Sequence, residues 1–190
     1  MQTVQKHVKV KLTEDLLGTI PMNREVYSAY IESLKPKDNA EDESENVTER
    51  EESGWTTFLR DKERGLYVYD YYVKGFFKNA ANVLKSDLKI KNLRSKVSDL
   101  LFVTPRKIYL NCKEPDFILE RPLRAQTAQG PRITLAKSDA IKAGKIIEFD
   151  VILLTAKGEL KPDIIEKLLE YGKLQGFGQF RNGGYGRSEV

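Results

Sequence analysis

Cysteine and histidine are almost missing from this chain: its 190 residues hold one of each, Cys112 and His7. A lone thiol closes no internal disulfide, and one Cys beside one His cannot assemble a Cys/His zinc site. No metal and no other cofactor is therefore expected. The single imidazole also bears on catalysis. General acid–base cleavage relies on a positioned imidazole or carboxylate. His7 stands at the start of a strand and reads as a rim residue. Long apolar runs are missing as well. The opening residues, Met1-Gln2-Thr3-Val4-Gln5-Lys6, carry no apolar core of signal-peptide length, and no run approaches a membrane span. The expectation is a cytoplasmic protein with no membrane contact. A phosphate-binding Gly-Lys-Ser/Thr element is absent too.

One segment lacks apolar residues altogether. Between residues 35 and 53 only Val47 offers a side chain to bury, which cannot offset the entropy of ordering the segment. Residues 36–53 are therefore expected to be a flexible acidic insertion in a single domain spanning 1–190. From Asp38 to Ser53 there are eight acids and one base, Arg50. Of 32 bases and 28 acids in the chain, 31 and 20 remain outside that stretch, so a net charge of +4 hides a body at +11. A basic body suits polyanionic partners. With 40% hydrophobic residues the chain can also bury a genuine core.

Alternation in His7-Val8-Lys9-Val10-Lys11-Leu12 predicts a strand with one buried face, after which residues 16–21 leave the sheet. Asn23 is placed to cap a helix over residues 23–34. Leu66-Tyr67-Val68-Tyr69 predicts a short strand, and Asp70 a cap for a helix reaching Lys85, with Val73, Phe77, Ala80, Ala81 and Leu84 inward. A second helix is expected over residues 88–101, then a strand interrupted at Pro105, which argues for an edge or a bulge. Phe117-Ile118-Leu119 reads as a short strand and residues 146–154 as the most strand-like run of all. Pro162 suits the first turn of a helix carrying Ile164, Ile165, Leu168 and Leu169 and ending near Gly172. This order predicts an α+β fold with helices on one face of an antiparallel sheet, ferredoxin-like (RRM-like) in topology.

The chain closes on Gly176-Phe177-Gly178-Gln179-Phe180-Arg181-Asn182-Gly183-Gly184-Tyr185-Gly186-Arg187. Bare amides in such a loop can form an anion-binding concavity. Arg181 and Arg187 add charge and flat guanidinium groups, and Phe177, Phe180 and Tyr185 add rings for stacking. A tight structural connection between the last helix and strand is the competing reading. A dinucleotide fingerprint opens a helix after a strand, whereas this loop follows a helix.

The spacing Gly176-x-Gly178, five residues, then Gly184-x-Gly186 resembles the C-terminal glycine-rich loop of the RAMP superfamily of CRISPR-associated RNA-binding proteins. Three further segments resemble its backbone-subunit branch, which coats guide RNA in effector complexes. These are Val8 to Leu12 with Leu16-Leu17-Gly18, the stretch Leu59-Arg60-Asp61 followed by Leu66 to Lys78, and Arg121-Pro122-Leu123-Arg124-Ala125-Gln126-Thr127-Ala128-Gln129-Gly130-Pro131-Arg132 leading to Ala143-Gly144. The whole is also similar to small solitary members of this branch carried by phages and prophages.

The resemblance implies a thumb-like hairpin over residues 120–144 and a non-catalytic protein that binds single-stranded RNA or DNA. Target-cleaving subunits place an Asp before the Arg60-Asp61 counterpart, where this chain has Gly54-Trp55-Thr56-Thr57. By the same resemblance Lys74, Lys78, Arg121, Arg124, Gln126 and Arg132 contact the strand, together with Gly176, Gly178, Gln179, Arg181, Asn182, Gly184, Gly186 and Arg187 of the loop. Implied partners are CRISPR effector subunits or further copies of the chain along one strand. Two alternatives stand beside this reading: an anti-CRISPR protein that binds or mimics part of a host effector, and sequestration of a nucleotide signal.

Overall fold

The structure, a computed structural model, describes residues 2–21, 55–127, 130–155 and 160–190. The helix expected over residues 23–34 and the acidic insertion at 36–53 lie outside the described residues. In chain order the elements begin with β1 (Thr3–Leu12), β2 (Leu16–Leu17), β3 (Ile20–Pro21), β4 (Trp55–Thr57), β5 (Leu59–Asp61) and β6 (Gly65–Tyr69). Next come α1 (Asp70–Leu84), α2 (Leu93–Leu100), β7 (Leu101–Thr104), β8 (Lys107–Tyr109), β9 (Phe117–Thr127) and β10 (Gly130–Ile141). The last are β11 (Ile146–Leu154), α3 (Ile164–Glu170) and β12 (Ser188–Glu189).

The main sheet has the order β12-β1-β11-β7, with every neighbouring pair antiparallel. With α1 and α2 between β1 and β7, and α3 between β11 and β12, this is the β-α-β-β-α-β plan of a ferredoxin-like α+β fold. Its register follows from the alternation along both central strands. Val8 stands opposite Phe149 and Val10 opposite Ile147, so the apolar sides coincide and all four are buried. Val73, Phe76, Phe77, Ala80 and Ala81 of α1 and Ile164, Ile165, Leu168 and Leu169 of α3 join the same core. Burying a side chain such as Phe77 stabilises the fold by about 1.5–3 kcal/mol relative to leaving it exposed. The other face of the sheet carries His7 and Lys9 against Asp150 and Glu148.

A second sheet runs β2-β10-β4-β3, with β9 paired along β10. Residues 16–21 thus leave the first sheet, as expected, but enter the second. The strand foreseen over residues 117–119 is the start of an eleven-residue strand, β9. Pro122 is tolerated there because β9 pairs on one side only, with β10. β9 and β10 pair antiparallel from Phe117 opposite Ala140 to Thr127 opposite Gly130, forming a long hairpin ribbon. A third sheet, β5-β6-β8, joins the two strands that precede α1 to one that follows α2 and β7. The helix expected from residue 88 starts only at Leu93, since Lys89 and Asn92 take left-handed backbone angles (φ 53° and 55°). Asp70 is the first residue of α1 and follows the N-cap Tyr69; its Oδ1 accepts from the Tyr71 N–H at 2.9 Å and from Arg106 Nη1 at 2.8 Å.

Candidate nucleic-acid interface

Hydrogen bonds to the turn after β1 hold the glycine loop. Gly186 N–H donates to Asp15 O (2.8 Å), Thr13 N–H to Arg187 O (2.8 Å) and Phe177 N–H to Gly186 O (2.9 Å). The two limbs meet where Gly176 lies against Gly186: a Cβ on Gly176 would stand 1.9 Å from the Gly186 carbonyl carbon. Phe177 is buried with its ring 4.5 Å from that of Phe76, so it belongs to the core and offers no stacking face. Arg187 Nε donates to Leu174 O (3.1 Å), which ties its guanidinium across the loop. The exposed Asn182 sits in a short 3₁₀ turn with Arg181 and Gly183.

The tip of the loop meets the base of the hairpin. Arg121 of β9 lies with its guanidinium carbon 4.5 Å from the centre of the Phe180 ring, and Tyr185 packs beside that ring at 5.8 Å. Arg121 Nη2 donates to Ser138 Oγ (3.2 Å), Ser138 Oγ lies 2.8 Å from Thr56 Oγ1, and Thr56 Oγ1 donates to Gln179 Oε1 (2.7 Å). Since a guanidinium only donates, the Ser138 oxygen accepts from Arg121 and its proton turns to Thr56, whose own proton goes to Gln179. The 2.7 Å bond to Gln179 outcompetes the 3.5 Å approach of Thr56 to Lys137 O. One directed chain of bonds therefore joins β9, β10, β4 and the loop. Arg121 is half-buried as a whole, yet its Nε and Nη1 are enclosed without a hydrogen-bond partner among the described residues. Burial lowers the pKa of this guanidinium, while the nearby Tyr185 opposes the shift.

The main-chain path is shared. The protein has the fold of a chain in the cryo-electron-microscopy structure of the Type III-B Cmr-beta bound to cognate target RNA, with a TM-score of 0.54. The two are 11% identical in sequence; the match covers 99% of this chain and 58% of that one, so this chain spans less than two thirds of its neighbour's length. No family model and no curated protein matches the sequence.

The remaining expected contacts are spread over the molecule. In the outer ribbon Arg124 stands opposite Ile133, Gln126 opposite Pro131 and Arg132 opposite Ala125. The Arg181 side chain has no hydrogen-bond or ion-pair partner among the described residues, while its carbonyl accepts from Gly184 N–H (3.0 Å), and the residue lines a groove of about 270 Å³ with Tyr71, Tyr72, Asn79 and Gly178. Lys78 lines a separate groove with Arg94 and Asn82.

Lys74 is engaged within the protein. Its Nζ donates to Val97 O (2.8 Å) in the last turn of α2, beside the Leu101 N–H that also reaches this oxygen, and to Leu101 O at the start of β7. Burial first, then the charge of Lys78, pulls its pKa down to about 8. The unfolded chain, with an ordinary lysine at 10.5, then holds more protons than the folded one above pH 8. Stability is expected to rise from pH 8 to 9, before the raised thiol of Cys112 begins to oppose it. Urea melts at the two pH values check this, and Lys74→Met should flatten the difference.

Thr56 and Ser138 were not foreseen as site residues. They meet Gln179 and Arg121 only across sheet pairings of distant segments, and no local signal in the sequence reports such pairings. His7, expected at the start of a strand, instead lies in the middle of β1, which already begins at Thr3, with Nδ1 2.8 Å from Asp150 Oδ1 and Nε2 3.4 Å from Glu148 Oε2. Among the described residues no group of three or more His, Cys, Asp or Glu could hold a metal ion, and no helix is long and apolar enough to cross a membrane.

Proposed function

We propose that the protein binds single-stranded nucleic acid, RNA first, without cleaving it, on the surface where the glycine loop meets the base of the hairpin. One observation carries the reading: the half-buried Arg121 encloses two guanidinium nitrogens, Nε and Nη1, that have no acceptor among the described residues, and its guanidinium lies over the exposed Phe180. A cation in that condition is stabilised by an incoming anion. Phe180 is 42% exposed at the loop tip. Gln179 is held beside it through Thr56, and the Arg181 side chain, which has no ion-pair partner among the described residues, adds charge. The shared fold with a chain of an RNA-bound Cmr-beta supports the reading, as does the resemblance to the backbone subunits of CRISPR effectors.

Binding of a fluorescent oligouridine should weaken as salt rises, with a slope of about 0.7 per phosphate neutralised. Arg181→Glu and Arg124→Glu together should abolish it. A wild-type protein that leaves the oligonucleotide free at low salt would refute the proposal.

A second reading concerns self-association along a strand. Ile118, Ile133 and Leu135 are exposed on the hairpin, and Ile133 is 66% accessible. Sedimentation with and without a long oligonucleotide tests it: copies that fail to cluster on one strand count against it.

A further inference from the structure

The third sheet has an unusual outer face. Its inner side sends Leu66, Val68 and Ile108 to the core, so its outer side should be polar. It carries tyrosines instead. Tyr67 stands opposite Tyr109 in the register, and Tyr69 follows two residues on, which places all three on one face. The row continues onto the first turn of α1. Ring centres are 5.9 Å apart from Tyr109 to Tyr67, 5.5 Å to Tyr69, 5.4 Å to Tyr71 and 4.8 Å to Tyr72. The last two pairs are stacked, with planes within 28° and 29° of parallel.

Cations sit over these rings. Arg64 lies 3.8 Å from the centre of Tyr109, Lys107 4.8 Å from Tyr67, and Arg106 5.0 Å from Tyr69 and 5.4 Å from Tyr71. Two carboxylates fix them in place: Asp61 accepts from Lys107 Nζ (2.9 Å) and Asp70 from Arg106 Nη1 (2.8 Å). Tyr71, at the exposed end, is 46% accessible and lines the same groove as Arg181 of the glycine loop.

We propose that the accessible end of this row is a stacking track for the unpaired bases of the strand held at the glycine loop, with Tyr71 as its first step and the half-buried Tyr69 as the next, Arg106 and Lys107 beside the backbone, and the buried Tyr67 supporting the rings from within. The inference rests on the binding reading above and extends it by a second surface. Aromatic rings alternating with cations suit a single strand, because each base offers a flat face and each linkage a charge. A duplex, its bases already stacked, gains nothing from the track.

The test uses the full chain and an oligouridine of a dozen nucleotides, with an abasic oligomer of the same length as the comparison. Tyr71→Ala should weaken binding of the oligouridine about tenfold. Tyr71→Phe, which keeps the ring, should stay near wild type. The abasic strand should bind wild type and Tyr71→Ala alike. Ultraviolet crosslinking of oligouridine to the wild type, read by peptide mass, should mark Tyr71 or Tyr69 and needs no variant to fold. Wild-type binding that is unchanged in Tyr71→Ala, with no crosslink at either tyrosine, overturns the track and leaves the loop reading standing. Absence of wild-type binding overturns both.

Discussion

Arg121→Met is expected to lose oligonucleotide affinity by about tenfold to a hundredfold, the effect of removing a charged hydrogen-bond donor. Its thermal stability is expected to stay within about 1 kcal/mol of wild type or to rise. The two outcomes come from one arrangement. Enclosed donors without acceptors each cost about 1–3 kcal/mol. Methionine fills much the same space on Phe180 without that cost, while the bond to Ser138 and the attraction of the ring for the cation are lost in exchange. A residue kept for stability would behave in the opposite way. Arg121→Met that melts well below wild type and still binds would show that the guanidinium serves the fold. Paired measurements of melting temperature and of anisotropy at low salt separate the cases.

Gly176→Ala is expected to destabilise the protein by about 3 kcal/mol or more, beyond the usual 1–3 kcal/mol of an overpacked core. The added carbon would sit 1.9 Å from one backbone atom of Gly186 and 2.0 Å from another, and backbone held by hydrogen bonds on both sides cannot swing away. Gly144→Ala gives the contrast. That glycine has a positive φ, 91°, which Gly176 does not, but nothing lies within 4 Å of its would-be Cβ, so only the backbone penalty of about 1–2 kcal/mol applies. Urea denaturation of the two variants should rank them in that order. Equal losses would mean that the close approach of the two limbs carries no weight.

These two sites differ in how far the sequence disclosed them. The glycine loop could be found by eye, and so could the face of β1 and β11, because alternation over six to nine residues reports burial directly. Helix α1 was legible for the same reason, although its cap was not: Asp70 reads as a cap until Arg106 is seen to hold it. The purpose of the glycines was left between two readings, and the geometry of Gly176 and Gly186 supplies a structural role for that pair. The chain Arg121–Ser138–Thr56–Gln179 had no signature, since it depends on β10 pairing with β9 on one side and in parallel with β4 on the other. The tyrosine row escaped notice because Leu66-Tyr67-Val68-Tyr69 predicts the strand but not which face the fold leaves open. Lys74 looked like a surface lysine at a helix start until the end of α2 was set beside it.

The anchoring of the loop to Thr13 and Asp15 has a consequence for the order of assembly. These partners come from near opposite ends of the described sequence, so their union, like the pairing of β1 with β12, closes a very long loop and follows the contacts between neighbouring segments. A growing chain on the ribosome can pair β1 with β11 and pack α1 before Gly186 has been made. It cannot form the loop surface until then. Capture of an oligonucleotide would accordingly report that synthesis has passed Arg187, and chains halted earlier would fold in part yet hold no strand.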